Sequence, residues 1–262
     1  MFNTPFLPLK QHLHLIIYRS RVLLKTEGSR TYLSFLWWII DPVIELCIFY
    51  TVFGLILQRG GPGFIVQLLT GIFVIRLFVS ATSSAPTYLI SNTNAILAMS
   101  IPKFIFPAAY TVTYYFKFIF LLTLLYIFLI VLGVTPQASN LMIIPITLLY
   151  MVFTLGVAML LAGLTPFIPD ISMFYPKVNM LLYWGSGVFF LPEQFLPPQY
   201  LTLFYANPIA GFIKAYRDCL LFGTININLL CYLALFSIVM SFTGYGFLVF
   251  FDKKLPRVLA QQ

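Results

Sequence analysis

Six long apolar runs, separated by short polar or turn-rich breaks, set the pattern of this chain. They cover residues 32–57, 64–90, 106–134, 141–167, 171–191 and 225–251. A helix needs about 20 apolar residues to cross a hydrocarbon core of about 30 Å, and each run meets that length. Residues 118–134 show no alternation of apolar and polar positions, so they do not read as a barrel strand. Helices are the remaining spanning solution. The breaks carry turn chemistry: QRGGPG at 58–63, TPQASN at 135–140, and a link containing Pro169 and Asp170.

Three further segments do not span. Residues 7–27 predict an amphipathic helix, with Leu13, Ile16, Ile17, Leu23 and Leu24 on one side and Lys10, Gln11, His14, Arg21 and Lys25 on the other. A basic helix of this kind lies in the membrane interface. Residues 91–103 (SNTNAILAMSIPK) open on a helix N-cap cluster and end near Pro102, which predicts a short helix between two spans. Residues 192–223 are aromatic and punctuated by proline, too broken to cross, and read as short re-entrant or interfacial helices between spans 5 and 6. The expected fold is one all-α integral membrane domain over residues 1–262, with six transmembrane helices behind an N-terminal interface helix.

Composition narrows the class. The chain is 61% hydrophobic and 8% charged, against about 25% charged in a soluble domain. Cys47, Cys219 and Cys231 imply no disulfide framework, and His12 and His14 lie far from any cysteine in sequence, so no metal site is expected. Lys10, Arg19, Arg21, Lys25 and Arg30 interrupt any apolar stretch that a cleavable signal would need. With six spans, ten of the fifteen Lys and Arg residues fall on the side of both termini and three on the other. Basic residues concentrate on the cytoplasmic side, so both termini and residues 91–103 are expected inside and residues 192–223 outside.

Charges inside the spans carry the functional signal, because an unpaired charge at that depth is expensive. By helical rise, Glu45 lies about 20 Å from the inner edge, Arg76 about 18 Å from the outer edge and Lys117 about 17 Å from the inner edge. Asp41 is one turn below Glu45 on the same face. Two acids and two bases at similar depth are expected to neutralise one another. Either the pairs lock spans 1, 2 and 3 together, or some line a hydrated conduit for a polar substrate; a proton relay is the third alternative. Pro42 frees backbone carbonyls nearby and suits a kink or a conduit wall. Trp37, Trp38, Tyr110, Tyr114, Tyr115, Tyr183 and Trp184 serve either as interfacial belts or as a sugar path, since a pyranose face stacks on an aromatic ring while the phenol or indole tip bonds its hydroxyls.

No GxxxxGK[ST] motif occurs, so the chain does not cradle ATP by a P-loop, and GxSxG and HExxH are likewise missing from the sequence. No cofactor is expected in this chain.

The order of features resembles the transmembrane subunit of type-2 ABC exporters for polysaccharides, the O-antigen, capsule and teichoic-acid permeases. The residues that carry the resemblance are the basic helix running into Arg30 and LSFLWWIIDP (33–42), LLTGIF (68–73) and NTNAILAMSIPKFIFP (92–107). FIPDI (167–171), the LP pair at 191–192 and NPIAGFIKAYRDCLLFG (207–223) follow in order. The resemblance implies a half-transporter of the bacterial cytoplasmic membrane that dimerises and binds two copies of an ABC ATPase, where ATP and Mg are held. It implies a channel through the dimer for a lipid-linked polysaccharide, with nucleic acid excluded as a partner. By the same resemblance the N-terminal helix and residues 92–102, with Asn94, Ile96, Leu97 and Met99 among them, contact the ATPase, and residues 192–223 form the periplasmic gate. Asp41, Glu45, Arg76, Lys117, Trp37, Trp38, Tyr114, Tyr115, Tyr183 and Trp184 become the substrate pathway. Arg76 and Asp41 depart from the family pattern, which favours an apolar or aromatic residue and an Asn at those places. Lys25 and Arg30, nearest span 1, are the residues to hold a lipid-carrier phosphate; simple attraction to anionic lipid is the plainer account of the other cations. A type-2 permease for a drug or lipid, and an integral membrane enzyme acting on a lipid-linked sugar, remain the alternatives.

Overall fold

A computed structural model describes residues 9–28, 34–56, 58, 63–98 and 101–260. Among these the chain is helical, with no strand. The elements are α1 (Leu9–Gly28), α2 (Ser34–Phe49, continued by a π-helical turn at Tyr50–Ile56), α3 (Phe64–Ser83), α4 (Thr93–Ala98), α5 (Ile105–Val131), α6 (Ile143–Leu164) and α7 (Ile171–Gly185). They are followed by α8 (Pro192–Phe195), α9 (Pro198–Tyr205), α10 (Pro208–Arg217), α11 (Ile227–Phe251) and α12 (Leu255–Leu259).

Among the described residues five helical stretches are long and apolar enough to cross a membrane: Leu36–Ile56, Phe64–Thr87, Ile105–Val131, Ala138–Leu164 and Ile227–Phe251. They coincide with five of the six predicted runs. The fifth run differs. Its helix, α7, has 15 residues, about 22 Å by helical rise and short of the hydrocarbon thickness. The helix stops because Gly187 adopts a left-handed φ of 73° just beyond its end, a conformation that glycine takes without steric cost. Residues 186–191 continue without helix.

Side-chain contacts fix the directions of the helices. The α5 and α6 helices are antiparallel: Tyr126 meets Asn140 and Tyr115 meets Thr154. The α6 and α11 helices are parallel: Ser241 donates to the Val152 carbonyl and Phe167 packs on Phe251. The Tyr150 hydroxyl donates to the Val74 carbonyl, and Phe78 stacks on Phe153, so α3 runs with α6. Asn179 bonds Ser83 at the C-terminal end of α3, and Val188 lies against Gly71, so α7 and the non-helical stretch run against α3.

One end of the bundle therefore gathers α4, the start of α5 and α12. Ile96, Leu255 and Leu259 share an apolar cluster there, and Lys103 pairs with Asp252 at 3.2 Å. The α1 helix does not stand apart from the bundle. It runs beside the first half of α5, from His12 against Phe104, through Ser20 donating to the Ala109 carbonyl, to Glu27 against Lys117. The core proper lies between α3, α5, α6 and α10, where Tyr150, Phe153, Phe212 and Tyr216 interlock.

Candidate functional site

The charges of α2 and α3 meet as their spacing predicts. Arg76 Nε lies 3.1 Å from a Glu45 oxygen, and an Nη lies 3.8 Å from Asp41. The Tyr183 hydroxyl of α7 donates to the other Glu45 oxygen, which ties α2, α3 and α7 at one depth. Two carboxylates face one guanidinium, so the cluster carries a net negative charge. It is open on one side: the Asp41 side chain is 52% exposed and that of Glu45 21%.

Lys117 does not join this cluster, contrary to the expected four-charge neutralisation. It pairs with Glu27 at the end of α1, and its ammonium stands 5.1 Å over Trp38 and 4.9 Å over Tyr114. The reason is the course of α1 beside α5, which carries Glu27 to the height of Lys117. Desolvated ammonium–aromatic contacts of this kind contribute about 1–2 kcal/mol.

The aromatic residues divide. Trp37 and Trp184 are exposed, Trp38, Tyr114 and Tyr183 half-buried. Tyr115 belongs to the packed core instead, 3% exposed with its hydroxyl on Thr154, and is not part of an open wall. Phe49, Phe53 and Phe189, which sequence reasoning passed over, join Tyr183 and Trp184 in one array; Phe49 and Phe189 lie 4.4 Å apart and Phe53 stacks on Phe189 at 5.3 Å. The array borders a cavity of about 470 Å³ lined by Phe53, Phe64, Gln67, Phe190, Gln194 and Phe204 among others. The signal was the VFF run at 188–190, hidden by its reading as the end of a helix.

Residues 192–223 form three short helices, α8, α9 and α10, closed by a π turn at Asp218–Phe222. Asn207 builds the start of α10: its side chain accepts from Ile209 N at 3.0 Å and donates to Ser186 at 2.9 Å, with Pro208 in the first helical position. Lys214 lies 2.6 Å from Glu193 and 3.7 Å from Asp218, and the Tyr205 hydroxyl donates to Glu193 at 2.6 Å. Burial alone would raise the Glu193 carboxyl, but the hydrogen bonds from Lys214 and Tyr205 outweigh it and leave the group below its ordinary value. These residues border a second cavity of about 320 Å³. Arg217 also lines it, 4% exposed and bonded, among the described residues, to backbone carbonyls alone: Gly187 and Val188 at 2.8 Å, Gln67 at 2.9 Å and Phe190 at 3.4 Å.

At the other end, Asn94 and Leu97 of α4 are exposed, whereas Ile96 is 4% exposed and turned into the cluster with α12. Ile96 is thus a packing residue, not a surface contact, and Met99 lies outside the described residues. Arg19 of α1 donates to Asn92 and lies 4.1 Å over the Phe106 ring, which joins α1 to the segment leading into α4. Lys25 is exposed on α1; Arg30 lies outside the described residues. Among the described residues no group of His, Cys, Asp or Glu has the arrangement of a metal site.

Comparison with known proteins gives consistent matches. The family described as ABC-2 type transporter matches residues 20–221. The chain is 25% identical over 222 residues to the O-antigen export system permease protein RfbA of Klebsiella pneumoniae, covering 84% of this chain and 85% of that one. It is 24% identical over 227 residues to the polysialic acid transport protein KpsM of Escherichia coli, covering 84% and 87%. An O-antigen export permease of Myxococcus xanthus is 19% identical over 195 residues, covering 74% and 75%. The profile spans most of the chain, from α1 through α10, and this protein belongs to the ABC-2 type transporter family.

Proposed function

We propose that this chain is the permease half of an ATP-driven exporter that moves a lipid-linked polysaccharide across the bacterial cytoplasmic membrane. The observation that carries the reading is the correspondence, over 84% of the chain, with permeases named for O-antigen export and polysialic acid transport. Two copies of the chain form the conduit, and two copies of a separate ABC ATPase hold ATP and Mg and drive it. Five crossings are the long apolar helices. The sixth is α7 completed by the non-helical residues 186–191, a reading supported by the contacts that carry this stretch from Ser83 to Gly71 along α3. Both termini then face the cytoplasm, which agrees with the excess of Lys and Arg on that side.

In this arrangement α1 lies at the cytoplasmic interface against α5, and Lys25 and Arg30 are the residues assigned to bind the lipid phosphate. Residues 192–223 close the outer mouth. Asp41, Glu45, Trp37 and Trp184 face the path; Arg76 and Tyr183 hold Glu45 in place, while Lys117, Trp38 and Tyr114 hold α1 to the wall. Non-helical backbone at membrane depth is tolerated where it borders a cavity, and residues 186–191 meet that condition.

The exposed side of α4 docks the ATPase. A cysteine in place of Asn94 or Leu97 is expected to crosslink to the ATPase in membranes, and one in place of Ile96 is not, because Ile96 points inward. Labelling of a cysteine at 97 by an impermeant reagent added outside the cell would contradict both the docking and the orientation.

A further inference from the structure

We propose that Arg217 is the positioning residue that holds the outer gate closed, its guanidinium supplying the donors that the broken crossing lacks. The inference rests on the reading of residues 192–223 as the outward gate. Where α7 stops, the carbonyls of residues 186–190 lose the helical N–H partners they would otherwise have. Three of them, at Gly187, Val188 and Phe190, accept from Arg217 instead, and a fourth bond reaches Gln67 in the first turn of α3. Arg217 makes no ion pair among the described residues; Glu193 and Asp218 act on it only at longer range. A buried charge held by neutral dipoles is stable only while all of those dipoles face it. The arrangement therefore has two self-consistent states: carbonyls gathered on the guanidinium, or both released to water.

The surroundings are shaped for this contact. A Cβ on Gly71 would stand 2.7 Å from the Arg217 Nη2 and 2.8 Å from the Val188 carbonyl oxygen, so the absence of a side chain there makes room for the fork. The Lys214–Glu193 pair, one turn earlier on α10, ties α8 to the same helix. Arg217 thus fastens three elements, the start of α3, the break after α7 and the end of α10, at the inner wall of the gate. A lysine keeps the charge but presents a compact ammonium that cannot serve carbonyls on both sides of the fork.

The test uses the assembled exporter in whole cells, with Cys47→Ser, Cys219→Ala and Cys231→Ser as background. Val188→Cys reports the gate, because Val188 is 0% exposed, and Thr224→Cys reports the orientation, because Thr224 is exposed in the link between the π turn and α11. An impermeant maleimide added outside is expected to label position 224 readily and position 188 slowly. Adding Arg217→Lys is expected to raise labelling at 188 about tenfold or more, the scale of one lost charge-assisted hydrogen bond, and to leave 224 unchanged. Gly71→Ala is the second variant, needed if Arg217→Lys does not accumulate; it keeps the arginine, crowds the same contact and is expected to raise labelling at 188 as well. Unchanged labelling at 188 in these variants, with normal labelling at 224, would overturn the role of Arg217 alone. No labelling at 224 in the parent would overturn the outward orientation and the gate with it.

Discussion

Reversing Arg76 to glutamate is expected to abolish export, and combining it with Glu45→Arg is expected to restore most of it. The single reversal places three carboxylates where the structure has two carboxylates around one guanidinium. Removing one partner of a fully buried ion pair costs about 3–5 kcal/mol; this pair is open on one side and costs less, but reversal adds like-charge repulsion to the lost attraction. Glu45→Arg alone is expected to be severe but somewhat milder, because Asp41 remains beside the two cations. In the double variant the net charge is that of the parent. Asp41→Asn is expected to have the smallest effect, since Asp41 is 3.8 Å from Arg76 and about half exposed. Surface glycan, normalised to the amount of the chain in membranes, checks the series. If the double variant is as inactive as Arg76→Glu, the two residues are not energetically paired.

Gly156→Val and Gly244→Val are each expected to eliminate the folded protein. The α6 and α11 helices share the largest helix–helix contact of the bundle, and their backbones touch at these two glycines. A Cβ on Gly156 would stand 2.5 Å from the Met240 carbonyl carbon, and one on Gly244 would overlap the Gly156 carbonyl oxygen. Both neighbours are backbone atoms that cannot rotate away. Close approach through small residues is the main source of helix association in lipid, where burial from water contributes little. Overpacking of side chains costs about 1–3 kcal/mol, and separating two backbones costs more, because every contact along the seam is lost with it. Gly246→Val, with open space around it, is the matched control and should behave as the parent. Yield and monodispersity in detergent measure the outcome.

Much of this architecture was legible from apolar run lengths alone, because a bilayer demands about 20 apolar residues per helix and little else in a sequence meets that demand. The fifth apolar run was misread as a whole helix for a specific reason. Its hydropathy is that of a span, and only the GSG at 185–187 marks the stop; hydropathy averages over such a signal, whereas a single positive φ ends the helix. The Glu45–Arg76 pair was legible because depth can be counted from helix ends. The Glu27–Lys117 pair was not, since nothing in the sequence says that α1 leans along α5. Arg217 was missed as a central residue because its partners are carbonyls, which every residue has and which leave no mark on composition. Ile96 was assigned to the surface because a helix of six residues is too short for its periodicity to separate an inner from an outer face. Tyr115 was grouped with Tyr114 by residue type, but neighbours on a helix point about 100° apart, and only one of the two turns to the core.

The central claim is that this chain forms the wall of a conduit moved by nucleotide hydrolysis in a neighbouring subunit. It is tested most directly by uptake of a lipid-linked polysaccharide across vesicles of purified components. Vesicles containing the chain and its ABC ATPase should translocate glycan when ATP and Mg are supplied, and vesicles containing the chain alone should translocate none under the same conditions. Vectorial, ATP-independent delivery of glycan by the isolated chain would contradict the account.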